Sequence, residues 1–353
     1  QPQQTAAGAV LVMAVNESDR IANTQLRVRG EPDEHGREIP RGFLTIASLE
    51  ANPSLGEDCS GRLELAQWIT RPSNPLAARV VANRVWQHLF GRGLVRTVNN
   101  FGANGDRPTH PLLLDDLATS LVRDGWSVKK LIRRIMLSRV YQLSCDDQPA
   151  ALQTDPGNEL FWRMNQRRLE AEAIRDAILL VSGQLELEPP SGSPVQKLGE
   201  GIIGRNLNKT QLDREQRSRS IYLPIVRGAV PEILSLFDFP EPSIVGGARD
   251  VTTVPTQALF MMNSPLVIDS ATKLAERLVE KGGGSDELVR RAYRIALSRP
   301  ADAAEVDRAV EFVAQTQAEL QQAGRQKSAE AETTAWTAFC QSILASAEFR
   351  YIN

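Results

Sequence analysis

Apolar residues recur at helical spacing through most of this chain. In VKKLIRRIMLSRVYQL, residues 128–143, Val128, Leu131, Ile132, Ile135 and Met136 share one face, and Ser127 stands where an N-cap belongs. Residues 62–69 read as a short amphipathic helix stopped by Pro72. Asn74-Pro75 is a start signal, with Asn as cap and Pro at the first helical position, for a helix running to Phe90. Gly91 then supplies a left-handed C-terminal cap. His110-Pro111 opens a helix to about Asp124, closed by Gly125, and Asp155-Pro156-Gly157-Asn158 opens a long one closed by Gly183. Beyond Val254 the pattern is helical again: PTQALFMMNSPLV, residues 287–298, residues 303–320 and a last helix leading to SAEFRYIN, with the polar stretch 322–332 as a connector.

Alternating or β-branched runs are fewer. AVLVMAV (9–15) and TQLRVRG (24–30) predict two strands, with EPDEHGRE (31–38) as a turn-rich hairpin tip. So small a sheet buries little, and the sequence opens just before a strand, so residues 1–58 are expected to complete an upstream domain. Residues 186–250 are rich in Pro, Gly and charge, with SIYLPIV (220–226) as a strand-like piece and PEILSLFDFPEP as a short helix ending in a Pro turn. The expected fold is mainly α: a multi-helix domain with a small N-terminal β element and a long irregular middle segment. The segments are 1–58 β-rich, 59–185 a helical core, 186–250 an irregular connector and 251–353 a C-terminal helical part.

Composition narrows the function classes. A hydrophobic fraction of 42% over 353 residues supports a large core, and a net charge of −2 argues against a nucleic-acid binder that relies on counterion release. No apolar run reaches the roughly 20 residues of a membrane span. Cys59, Cys145 and Cys340 are far apart and form no CxxC or CxxCH, so neither a covalent haem nor a thiolate zinc site is encoded, and no cofactor is expected in this segment. The cysteines leave two readings open, one disulfide with a free thiol or three buried thiols.

Candidate chemistry concentrates in residues 83–126, which hold His88 and His110, two of the three histidines. Residues four apart share a helix face, so Asn83 lies beside Gln87 and Arg84 beside His88, on a helix otherwise apolar around Trp86. An unpaired buried polar group costs about 1–3 kcal/mol, so this stripe must find partners. One reading is a hydrogen-bond network tying the helix to the connector FGANGDRP; another is a cleft with His88 as proton carrier or ligand. His110, before Pro111, takes the cap position, where helix amides disfavour a cation and a general base or ligand is suited; capping alone also explains it. Asp106 completes a candidate triad, His88, Asp106 and His110, whose spacing matches no metal signature, and no metal is assigned. Asp115 and Asp116 oppose the helix dipole. In RRLEAEAIRDA, Arg168, Glu172, Arg175 and Asp176 read either as an exposed charged face or as a buried network holding the irregular segment. Asp238 and Glu241 in FDFPEP form a carboxylate pair of the sort a glycosidase needs, but turn formation explains them too. Lys129, Lys130, Arg133 and Arg134 read as a solvated basic edge.

The blocks RGEPDEHGREIPRGFL, NPLAARVVANRVWQHLFGRGLV, FGANGDRPTHPLLLDDLA, GWSVKKLIRRIMLSRVYQLS, DPGNELFWRMNQRRLEAEAIRDAIL, RSIYL, TTVPTQALFMMNSP and EFRYIN together resemble a family of secreted proteins abundant in planctomycetes, the PSD domain of unknown function. The resemblance covers nearly the whole chain. Leu89 stands where members often have a second histidine, which weakens a two-histidine metal site, and Glu241 where they often have an aspartate. The resemblance implies an exported protein, periplasmic or extracellular, often joined to an upstream partner domain or a c-type cytochrome domain. It carries no catalytic residues. The expected function is an exported module binding a partner protein or glycan near a redox or polysaccharide-degrading system, with candidate binding residues Asn83, Arg84, Trp86, Gln87 and Arg168. The alternative is a hydrolase acting on a carbohydrate polymer in a His88/Asp106/His110 cleft, with Arg84 holding an anionic group such as a sulfate. No membrane span and no nucleic-acid partner are expected.

Overall fold

The computed structural model describes residues 15–18, 20–48, 50–192, 216–225, 230–322 and 328–352. Helices dominate, and the strands form two small two-stranded sheets. The chain divides into two compact units, residues 1–141 and 142–353. The division falls within 59–185, the stretch whose helical pattern is continuous.

In the first unit β1 (Thr24–Arg27) pairs antiparallel with β2 (His35–Ile39), Thr24 opposite Ile39, with an irregularity between Gln25 and Arg27. This hairpin is almost wholly exposed, so it contributes little to the core. The strand expected at 9–15 lies outside the described residues except for Val15. Four helices follow: α1 (Arg62–Thr70), α2 (Ala77–Phe90), α3 (Pro111–Arg123) and α4 (Val128–Met136). α2, α3 and α4 pack on one another. Ala78, Ala82, Trp86 and Phe90 recur every fourth residue of α2 and are buried, as are Leu114, Leu117 and Leu121 of α3 and Leu131 and Ile135 of α4. Helical bonding begins at Ala77, two residues after Pro75, because Asn74 Oδ1 accepts the Leu76 and Ala77 amides in a turn of its own. Gly91 (φ 80°) closes α2, and Ser127 Oγ accepts the Lys130 amide at the start of α4.

The second unit contains α5 (Pro149–Thr154), β3 (Arg167–Arg168), α6 (Ala171–Ser182), α7 (Glu232–Leu236), α8 (Pro255–Asn263), α9 (Pro265–Glu280), α10 (Ser285–Leu297), α11 (Ala303–Gln322), α12 (Ser328–Ala345), α13 (Ala347–Arg350) and β4 (Tyr351–Ile352). α9 is central, touching α6, α8, α10 and α12, and the core forms around Ile174, Ile178, Leu274 and Phe339. β4 pairs antiparallel with β3, returning the end of the chain to the start of α6.

Three expectations are corrected. The long helix from Asp155 to Gly183 is only α6, preceded by an irregular loop. Asp155 spends its carboxylate on the Glu159 and Leu160 amides, Asn158 and Phe161 take positive φ, and Trp162 Nε1 donates to the Asp155 carbonyl. These local bonds compete with helix formation. Of the strand expected at 220–226, Val226 lies outside the described residues, and Ser220–Tyr222 is instead a 3-10 turn, because Ser220 gives both its N–H and its hydroxyl to Asp176. The connector expected at 322–332 shrinks at both ends, since α11 reaches Gln322 and α12 begins at Ser328. All three cysteines are free thiols; Cys340 is buried, and burial pushes its thiol pKa well up.

Arg299 gathers the C-terminal helices. It holds Glu305 of α11 and Glu348 of α13 in bidentate pairs and lies 5.2 Å from the Tyr293 ring. The guanidinium hydrogen bonds draw the Glu305 carboxyl from an ordinary 4.5 down to about 2, against the opposing push of burial. A depressed carboxyl contributes stability that is complete above its unfolded value and fades as pH falls through its folded one. Thermal melts should therefore show a stability loss between about pH 4.5 and about pH 2 that Glu305→Gln flattens, with the variant melting roughly 2–4 °C lower at neutral pH.

Candidate functional site

α2 builds the site by what its polar residues hold. Asn83 is fully buried, its Nδ2 donating to the Val95 carbonyl at 2.9 Å and its Oδ1 accepting the Val95 amide at 2.8 Å. The carboxamide thus pairs with Val95 as a neighbouring strand would. Glycine at 93 permits this approach, for a Cβ there would lie 2.5 Å from the Val95 carbonyl oxygen and 2.8 Å from Asn83 Nδ2. One residue on, Arg84 Nη2 donates to Asn99 Oδ1 at 3.2 Å. Asn83 and Arg84 therefore tie α2 to the connector at residues 95 and 99, ahead of FGANGDRP itself, while Gln87 Oε1 is buried without a hydrogen-bond partner.

The connector itself is a set of interlocked turns. Thr97 Oγ1 donates to the Asn100 carbonyl and accepts the Asp106 amide, while Asn100 Oδ1 accepts the Gly102 amide. At Gly105 a Cβ would fall 2.0 Å from the Asn100 carbonyl oxygen, so only glycine closes this loop. Between the held connector and the first half of α2 lies an open groove of about 480 Å³. Its lining is apolar at Pro75, Leu76, Val80, Val98 and Phe101 with Ile46, and polar at Arg84, Asn99 and Asn100.

Of the sequence candidates, Arg84 lines this groove and the others do not. His88 is exposed on the last turn of α2. His110 holds the cap position of α3 but makes no side-chain capping bond; its Nδ1 is 3.0 Å from Thr109 Oγ1, and the Thr109 amide binds the Leu94 carbonyl. Asp106 accepts from Arg96 Nε at 2.8 Å, an exposed pair. Among the described residues no three His, Cys, Asp or Glu side chains gather closely enough to hold a metal ion. Trp86 is a core residue stacked 4.1 Å from Phe90, and Gln87 is half-buried. Ile46, Asn99 and Phe101 line the groove but were not singled out by spacing; the glycines and asparagines of FGANG were the available signal.

Arg168 belongs to the other unit, and there the charged residues around α6 form the buried alternative of the two readings. Arg168 donates to the carbonyls of Phe237 and Thr252 and to Asp238 at 2.6 Å. Arg175, fully buried, donates to the carbonyls of Gln216 and Ser218 and to Ser220 Oγ. Glu172 takes Arg249, and Asp176 takes Ser220. Burial raises the Asp238 carboxyl, but bonds from Thr252 and Arg168 outweigh it and leave the pKa below the usual carboxylate range. Asp238 is thus a tie-point, and Glu241 accepts the Ser243 amide as a turn former.

The model of the PSD1 family, described as a protein of unknown function (DUF1553), matches residues 61–313, and the chain belongs to that family. No curated protein and no solved structure matches the chain.

Asn83→Ala strips partners from two buried groups of Val95 and should cost about 2–4 kcal/mol in urea unfolding of the first unit. Asn83→Asp should cost at least as much, because it sets an acceptor against the Val95 carbonyl. A loss below about 0.5 kcal/mol, the size of an ordinary surface change, would show that Asn83 does not hold the connector.

Proposed function

We propose that this PSD1-family chain is a binding module whose first unit takes an apolar side chain of a protein partner into the groove beside Arg84. The lining carries the reading: it is apolar at Leu76, Val80, Val98, Phe101 and Ile46 and polar at Arg84, Asn99 and Asn100. Protein interfaces use this arrangement, an apolar anchor in a pocket with polar groups at its rim. A sugar ring would need hydrogen-bonding groups across the lining as well, which favours a protein over a glycan. The exposed Arg84 guanidinium suits a carboxylate beside the anchor. The family resemblance supports an exported setting, periplasmic or extracellular, and points to an upstream domain or a cytochrome domain as the place to seek the partner, near a redox or polysaccharide-degrading system. The hydrolase reading draws less support, since the Asp106 carboxylate is engaged by Arg96.

Photocrosslinking in the source cells tests the reading. With p-benzoylphenylalanine in place of Phe101, we expect one discrete protein adduct that Val80→Glu abolishes. The same probe at Val245, which is 93% exposed, should give none. Equal adducts at both positions, or binding to glycans with no protein adduct, would reject a protein-binding groove.

A further inference from the structure

We propose that the outer face of α4 binds an anionic lipid surface. Residues 128–139 carry five cations, Lys129, Lys130, Arg133, Arg134 and Arg139, and no carboxylate. Leu131 and Ile135 are buried against the neighbouring helices, which turns Lys129, Lys130 and Arg133 of α4 outward, and Arg139 follows in the next turn of chain. Arg134 is held by Asp116 at 2.9 Å, and the adjacent Asp115 is held by Arg79. Lys129, Lys130, Arg133 and Arg139 are exposed, and no carboxylate among the described residues pairs with them. Like charges three and four apart on one helix repel, so the face stores positive potential that an anionic partner relieves.

Leucine decides the kind of partner. Leu137 follows the last turn of α4 in helical conformation, so it projects within about 40° of both Lys130 and Arg133. It is 62% exposed. An apolar side chain in the middle of a cationic arc gains nothing from a nucleic acid or an acidic glycan, which would leave it in water. At a bilayer surface the cations meet headgroup phosphates while Leu137 enters the acyl boundary. The contact is peripheral, since no described helix is long and apolar enough to cross a membrane.

Sedimentation of the full chain with lipid vesicles tests this. We expect binding to phosphatidylcholine vesicles containing one third phosphatidylglycerol, weak binding to phosphatidylcholine alone, and release by salt. At about 1 kcal/mol per cation, Lys129→Ala/Lys130→Ala/Arg133→Ala should weaken binding on the order of a hundredfold. Leu137→Ser should weaken it severalfold while leaving the salt dependence unchanged. Circular dichroism melts check that the variants fold; if the triple variant does not, Lys129→Ala alone should lose about fivefold. No preference for anionic vesicles, or an unchanged affinity in the folded charge variants, overturns the proposal. So does tighter binding to heparin, DNA or polyglutamate than to vesicles with Leu137→Ser silent.

Discussion

Buried polar side chains on helices, ending on the backbone of irregular segments, are the constraint on which this molecule depends. A loop packed against a core has amide and carbonyl groups that lose water, and each must be met. Here helices meet them. Asn83 pairs with both backbone groups of Val95, Arg175 with the carbonyls of Gln216 and Ser218, and Gln257 with that of Thr252. Half-buried side chains do the same for carbonyls in the last turns of helices, Arg277 at Val181 of α6 and Gln341 at Met262 of α8. The device lets a helical protein carry long stretches without regular structure and still fix where they lie.

The groove follows from that device. Its apolar lining is shared between α2 and the connector, so it exists only while the connector is pinned. Asn83 supplies the pin, Gly93 the clearance for it, and Gly105 the closure of the turn that presents Asn99 and Phe101. Arg84 is the one sequence candidate that both lines the groove and faces solvent. The groove presents apolar side chains, a guanidinium and two carboxamides.

Much of the fold was legible because its signals are local. Gly91 and Gly183 end helices where left-handed backbone is needed, Pro111 starts one, and the four-residue recurrence of Ala78, Ala82, Trp86 and Phe90 marks the core face of α2. Signals that depend on competition were misread: Asp155 could cap a helix or close a turn, and the turn won because Trp162 and Asn158 lock it. The charged residues of α6 share faces by spacing, but spacing cannot say that Glu172 reaches Arg249 and Asp176 reaches Ser220. The groove was invisible for the same reason, since Ile46, Val80 and Phe101 meet only in the folded state.

Native-state hydrogen exchange at Val95 tests this account most directly. Its amide lies in an irregular connector and would exchange quickly if that connector were merely resting on the surface. Bound to Asn83 Oδ1, it should exchange as slowly as the central amides of α2, opening only with the unit as a whole. Exchange at the rate of exposed loop amides, with α2 still protected, would contradict the claim that the helix holds the connector and shapes the groove.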